Sequence, residues 1–282
     1  MMYKKLGLKD CASILIKRLI KDDIFALASQ LAYSLLFAFF PFLIFLMTLV
    51  GFSSIKSSDV LVVIGRLVPE QVYNLIKSTI TEVVDTRNGN LLSFSLIISI
   101  WACVSGFSAV IRGLNNSYED SERRSFLRVQ FVSLIFTFGL IIIILSVMLL
   151  IVFGDVNEAI VVRRFGVPKF FGYAIWDFIK YLILVMTMVF TFAELYRYTP
   201  ATKHDWQDVF PGAVVSTAGW IISSLCFTYY VNNFGNYSKI YGSIGTVIVL
   251  MIWLFIISFV IIFGGEVNAV YFEIKNNDKY IL

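Results

Sequence analysis

Three ionic side chains stand at the edges of long apolar stretches: Arg112, Glu194 and Glu266. A charge at membrane depth is costly unless it is paired or hydrated, so each is a candidate functional group. Arg112 could neutralise one carboxylate and leave the other for a proton, a cation or a basic substrate group. A purely structural use competes with this. Glu194 can pair with Arg197 one turn on, and charges at helix ends also reach the interface by bending outward. Glu266 lies in Gly264-Gly265-Glu266-Val267-Asn268 and has no local basic partner. Gln30, Tyr33 and Pro41 give the first apolar stretch polar groups and a kink, a packing feature first and a gate second. Gly212, Ser216, Thr217, Gly219, Ser223, Ser224 and Thr228 suit either close helix packing or a pathway lining. Tyr229, Tyr230, Tyr237, Tyr241 and Gly242 mark one membrane boundary, where tyrosines act as an aromatic belt.

Enzymatic chemistry finds little to work with. The one histidine, His204, is followed by Asp205, but neither a nucleophile nor a metal partner accompanies them. Cys11, Cys103 and Cys226 lie far apart, so neither a disulfide framework nor a zinc site is indicated. No GxxxxGK[ST] loop is present, which argues against ATP hydrolysis by this chain. We expect no catalytic residues, no metal and no cofactor. Transport, if it occurs, would run on a gradient, a partner or simple equilibration.

The elements that must position these groups follow from composition. Hydrophobic residues make up 59% of the 282 positions and charged ones 15%. Soluble domains run near 45–50% and about 25%. The apolar residues are blocked into runs of membrane-spanning length, about 20 residues each. These predict an all-α, polytopic integral membrane protein, a single domain with six crossings at 31–53, 89–112, 130–153, 171–195, 209–231 and 243–269. The fourth is the least regular, since it carries Asp177 and Lys180, three apart and able to pair. Residues 1–30 are read as an N-terminal segment whose 6–22 portion is an amphipathic helix with Leu8, Ala12, Leu15, Ile16 and Leu19 on one face. That helix either lies on the inner leaflet or packs on the bundle. Residues 54–88 form a helical outer loop, with Pro69 opening a segment that carries Val72, Leu75, Ile76, Ile80 and Val83 at helical spacing. With both termini inside, 14 Lys and Arg fall on the cytoplasmic side and 8 outside, with Lys180 unassigned. This bias sets the orientation. The even-numbered crossings then end at the cytoplasmic face, which places Arg112, Glu194 and Glu266 at similar depth. A net charge of +4 is too mild and too evenly spread for a nucleic-acid surface.

Four motifs in order resemble those of the YihY/virulence factor BrkB family. They are Ala28-Ser29-Gln30-Leu31-Ala32-Tyr33-Ser34-Leu35-Leu36 running on to Phe40-Pro41; Arg112-Gly113-Leu114-Asn115-Asn116-Ser117-Tyr118 with Arg123 and Arg124; Leu195-Tyr196-Arg197-Tyr198-Thr199-Pro200 with Trp206 and Pro211-Gly212-Ala213; and Tyr241-Gly242-Ser243-Ile244-Gly245 with Trp253 and Gly264-Gly265-Glu266-Val267-Asn268-Ala269. Gly265 stands where the family usually has Ala, which leaves Glu266 in register. The resemblance spans roughly residues 20–272 and implies a six-helix bacterial inner-membrane protein. It also implies that Tyr33, Pro41, Arg112, Asn115, Asn116, Arg197, Pro200, Tyr241, Gly242, Glu266 and Asn268 carry the family's role. Members have carried the label ribonuclease BN, generally regarded as a misassignment, and others are linked to serum resistance and envelope lipid export. A nuclease needs a metal-binding cluster of carboxylates or histidines, and none can be assembled here from the sequence. The expected role is movement or accommodation of a lipid or amphipathic envelope component. The alternative is a non-transporting scaffold of an envelope complex. Membrane lipids are the implied partners, nucleic acid is not, and association with a second copy or an envelope protein stays open.

Overall fold

The computed structural model describes residues 8–51, 89–118, 122–139, 141–143, 169–234 and 243–279, with scattered positions between 57 and 81 and at 146. Among the described residues every regular element is an α-helix. We label them α1 (Leu8–Lys21), α2 (Ile24–Gly51), α3 (Gly89–Ser117), α4 (Phe126–Ile143), α5 (Lys169–Tyr198), α6 (Trp206–Phe234) and α7 (Ser243–Lys279). Five of these contain spans long and apolar enough to cross a membrane: Ile24–Ile44, Phe126–Ile143, Phe178–Tyr198, Trp206–Val231 and Val247–Lys275. The helix α3 is 29 residues long and carries one charged residue, Arg112. Asp177 and Lys180 do not interrupt α5, although the Asp177 side chain lies outside the described residues.

The surface is inverted relative to a soluble protein. Ile97, Trp101, Phe178 and Leu225 point outward and are each more than two-thirds exposed. The buried core instead includes small and hydroxylated residues such as Ala109, Ala193, Ala213, Ser216 and Thr217. This is the expected pattern when lipid, as apolar as leucine, surrounds the helices and close packing drives their association. Helix α2 packs along α3, α5 along α6, and α7 lies against α1, α2, α3 and α6. The last helix is therefore the hub of the bundle. Its 37 residues extend about 55 Å, well beyond a hydrocarbon layer of about 30 Å.

The break between α1 and α2 falls at Asp22–Asp23, not at residue 30. Asp23 adopts a left-handed backbone with φ of 44°, a conformation that short polar side chains tolerate. Its carboxylate accepts the Ala26 amide at 3.4 Å, capping the new helix. Residues 24–30 thus belong to the first long helix. The inward face of α1 also differs from the predicted one. Ile14, Leu15, Arg18, Leu19 and Asp22 turn toward the bundle, while Ile16 and Ile20 point outward. Docking against α7 selects the stripe carrying Arg18, because that side chain finds carboxylates there.

Within 54–88, Tyr73, Lys77, Ile80 and Thr81 are helical and Ile80 is fully buried. Pro69, Val72, Leu75, Ile76 and Val83 lie outside the described residues.

Candidate functional site

Five segments converge at one end of the bundle: α1, the end of α3, the start of α4, the connection between α5 and α6, and the end of α7. Its centre is Arg18. The guanidinium donates from Nε to Glu266 Oε2 at 3.3 Å, from Nη1 to Glu273 Oε2 at 3.2 Å and from Nη2 to the Ser117 carbonyl at 2.8 Å. One side chain of α1 thereby ties α7 to the end of α3. Planar, forked donors suit such multiple contacts better than a lysine would. Glu266 is completely buried, and its Oε1 has no hydrogen-bond partner. The Oδ2 of Asp22, four residues beyond Arg18 and just past the end of α1, is also buried and without a hydrogen-bond partner. The main-chain carbonyl of Asp22 accepts from Asn116 at 3.4 Å.

A second network holds the connections. Buried Asn115 donates to Glu122 at 2.8 Å and accepts the Ala201 amide at 2.7 Å. Arg124 grips Glu122 through Nε at 2.8 Å and Nη2 at 2.6 Å, and donates to the Thr199 carbonyl at 2.8 Å. The Arg124 guanidinium, bonded to Glu122, holds that carboxyl far below its ordinary range, at about 2. Asn115 thus reads both neighbouring connections at once, which requires an amide with one donor and one acceptor end. Lys275 pairs with Asp208 in the first turn of α6, where negative charge complements the helix dipole. His204 is buried, with its ring stacked on Tyr118 at 4.2 Å and set edge-on to Phe272 at 5.2 Å. It packs as an aromatic wedge between three segments.

A third set joins α5, α6 and α7. Buried Tyr196 donates its hydroxyl to the Ile261 carbonyl at 2.8 Å and lies 2.6 Å from the Ser216 hydroxyl. Ser216 in turn reaches the Val260 carbonyl at 3.2 Å. Asn268, fully buried, accepts the Gly212 amide at 2.6 Å. Pro211 precedes that amide, and a proline inside a helix disturbs the local ladder. Asn268 supplies an acceptor at that point.

The three charges singled out in the sequence do not converge. Glu266 is enclosed and its partner is Arg18, whereas Arg112 and Glu194 are both exposed. Arg112 is on the outer face of α3, two positions before the buried Leu114 and three before Asn115. Arg197 does not take up the pairing expected with Glu194: its guanidinium lies 4.6 Å from the Trp206 ring centroid and 5.4 Å from that of Tyr198, a cation–π geometry. Gln30 and Tyr33 are exposed on α2, the Tyr33 ring tilted against that of Phe37 with centroids 4.7 Å apart. Pro41 lies inside α2. Tyr241 and Gly242 lie outside the described residues. Arg18 and Glu122 were not anticipated; Ser216 was named as a packing or pathway residue and Tyr196 and Arg124 within the motifs, without these partners. For Arg18 a signal existed, since Ile14, Leu15, Leu19 and Asp22 share its helical face.

Glu194 has a different setting. A groove of about 490 Å³ runs along α5, lined by Leu182, Ile183, Met186, Thr187, Phe190, Thr191 and Glu194, with Ile143 of α4 at its edge. Thr187, Thr191 and Glu194, at steps of four and three, form one polar edge beside an otherwise apolar lining.

The sequence matches the virulence factor BrkB family over residues 15–280. It is 39% identical over 242 residues to a ribonuclease-like protein, YfkH, of Bacillus subtilis, covering 86% of this chain and 88% of that one. It is 26% identical over 283 residues to a UPF0761 membrane protein of Alteromonas mediterranea, covering 96% and 91%. A UPF0761 membrane protein of Aeromonas salmonicida is 32% identical over 111 residues, 38% of this chain and 36% of that one. No solved structure matches. With the match extending from the middle of α1 to the end of α7, this multi-pass α-helical membrane protein belongs to the virulence factor BrkB family.

Proposed function

We propose that this chain accommodates and moves a lipid or other amphipathic envelope component along its lipid-facing flank, as a six-span protein of the bacterial cytoplasmic membrane with both termini inside. The groove along α5 carries this reading. Its volume lies within the range of small-molecule sites, about 300–1,000 Å³, and its apolar lining suits an acyl chain. Thr187, Thr191 and Glu194 would receive a hydroxylated or cationic headgroup. The setting of Glu266 supports a lateral route over a central one, because its carboxylate is enclosed and tied to Arg18.

The test uses purified protein in liposomes containing headgroup-labelled phosphatidylethanolamine and phosphatidylglycerol, with label crossing the bilayer read by an impermeant reductant. Wild type should accelerate exchange, and both Glu194→Gln and the groove-filling Met186→Trp should reduce it at unchanged protein content. Rates equal to empty liposomes across that panel count against transport.

A scaffold reading draws on a separate observation, the Arg18 and Asn115 networks that bind the connections into a fixed end. It expects a partner that co-purifies with wild type, and phenotypes indifferent to Glu194→Gln. A nuclease reading rests on the printed name of the Bacillus relative. Among the described residues no group of three or more His, Cys, Asp or Glu side chains is placed to hold a metal ion. Metal-dependent RNA cleavage that co-elutes with the purified protein would revive it.

A further inference from the structure

We propose that Glu266 and Asp22 together form a site for one further small cation, a proton or an alkali-metal ion, at the docking surface of α1. The argument begins with charge and donor geometry. Two carboxylates, Glu266 and Glu273, bond the Arg18 guanidinium, and Asp22 follows Arg18 by one helical turn. Glu273 is about half exposed, so water serves it. Glu266 is fully buried and Asp22 is partly so. Among the described residues, the charged groups that bear on Glu266 are Asp22 and Arg18, and the Ser117 hydroxyl faces it as well. That sets two carboxylates against one guanidinium, with Glu266 fully buried and the Oδ2 of Asp22 shielded from water.

The hydrogen bonds repeat the imbalance. Arg18 is directed at Glu266 Oε2, Glu273 Oε2 and the Ser117 carbonyl. Glu266 Oε1 and Asp22 Oδ2 are buried and receive no hydrogen bond. Buried carboxylate oxygens are otherwise paired, hydrogen-bonded or coordinated, because an uncompensated charge there is strongly unfavourable. One added positive charge balances the pair. A proton makes one carboxyl a donor, and an alkali ion takes the free oxygens as hard ligands.

Entry is short. Glu273 lies seven residues beyond Glu266 on α7, about 10 Å along the axis, and reaches solvent. The site is split between elements: Arg18 comes from α1, Asp22 from the link directly after it and Glu266 from α7. It is intact only while α1 is docked. The left-handed link at Asp23 separates α1 from α2, so α1 can lift without breaking the long helix. Filling the site therefore favours the docked arm, and emptying it favours release.

Hydrogen exchange on the full chain in nanodiscs tests this. Protection of the Leu8–Lys21 amides, corrected for intrinsic exchange, is followed in two series. One varies pH with N-methylglucamine as the sole other cation. The other varies NaCl or KCl at fixed pH and ionic strength. A ligand bound only in the docked state raises protection by 1 + [L]/Kd, about 11-fold at ten times Kd. Response to the pH series alone identifies a proton, and response to Na⁺ or K⁺ identifies a metal ion. Glu266→Gln should abolish the response while α1 remains protected. Asp22→Asn, at a partly exposed position, should also abolish or weaken it, and decides the matter if Glu266→Gln does not fold. Protection in wild type that follows neither series, or that follows it identically in the two variants, overturns the proposal.

Discussion

Substituting Gly264 by Ala probes the closest approach at any glycine among the described residues. A Cβ at this position would overlap the hydroxyls of Ser216 and Tyr196 and come within 2.9 Å of the Gly212 carbonyl. None of these is the loose end of a flexible side chain. Both hydroxyls are hydrogen-bonded and the third atom is backbone, so α6 and α7 must move apart. Separation weakens three links: Tyr196 to Ile261, Ser216 to Val260 and Gly212 to Asn268. Interhelical hydrogen bonds in membranes average about 0.6 kcal/mol each, so roughly 2 kcal/mol is lost. Overpacking adds about 1–3 kcal/mol, and the better helix propensity of Ala returns up to about 1 kcal/mol. The net expectation is a destabilisation of about 2–4 kcal/mol. Gly139→Ala is the matched control, because a Cβ there meets nothing within 4 Å; it should be neutral or stabilising by up to about 1 kcal/mol. Unfolding of the two variants in mixed micelles, titrated with denaturing detergent, measures the difference. Unfolding free energies within about 1 kcal/mol of each other would refute the close-contact argument.

Two further outcomes follow from the charged networks. Glu122 is held at about 2 by Arg124, below its ordinary 4.5. Its contribution to stability is therefore complete above pH 4.5 and disappears as pH falls through about 2. The stability difference between wild type and Glu122→Gln, followed by thermal melting, should shrink across that window and be flat from pH 5 to 7. Arg197→Lys keeps the charge but loses the planar stack on Trp206, and should cost about 0.5–2 kcal/mol. A double-mutant cycle with Trp206→Leu checks this, since the Lys substitution should cost much less once only the more distant Tyr198 ring remains.

Much of the architecture was legible because membrane helices announce themselves by composition. The apolar runs located α2, α4, α5, α6 and α7, and Lys180 did not break α5. Glu266 could be singled out because a charge at the edge of such a run must find a partner, whereas Asn115 and Asn268 were singled out by the family resemblance alone. Which partners they find was not legible. Arg112 and Arg18 are equally basic, and local sequence gives no reason to prefer the one 248 positions away. The choice depends on how α1 docks, which in turn depends on the angle set at Asp23. Gly265 tells a similar story. An Ala in its place would bring a Cβ to 2.7 Å from Leu114 Cδ2, the tip of a side chain that can shift. That contact limits the position to small residues, and it exists only once α3 and α7 have met.

The link between Arg18 and Glu266 also has a consequence in time. A ribosome adding roughly 5–20 residues per second needs about 12–50 s to cover the 248 positions between them. Throughout that interval the nascent arm lacks its anchor, and the hub helix that joins the earlier spans has yet to leave the tunnel. Biogenesis of this molecule therefore finishes from its last residues backward. A chain stopped short of Glu266 would leave the bilayer holding separate hairpins with a loose amino-terminal arm.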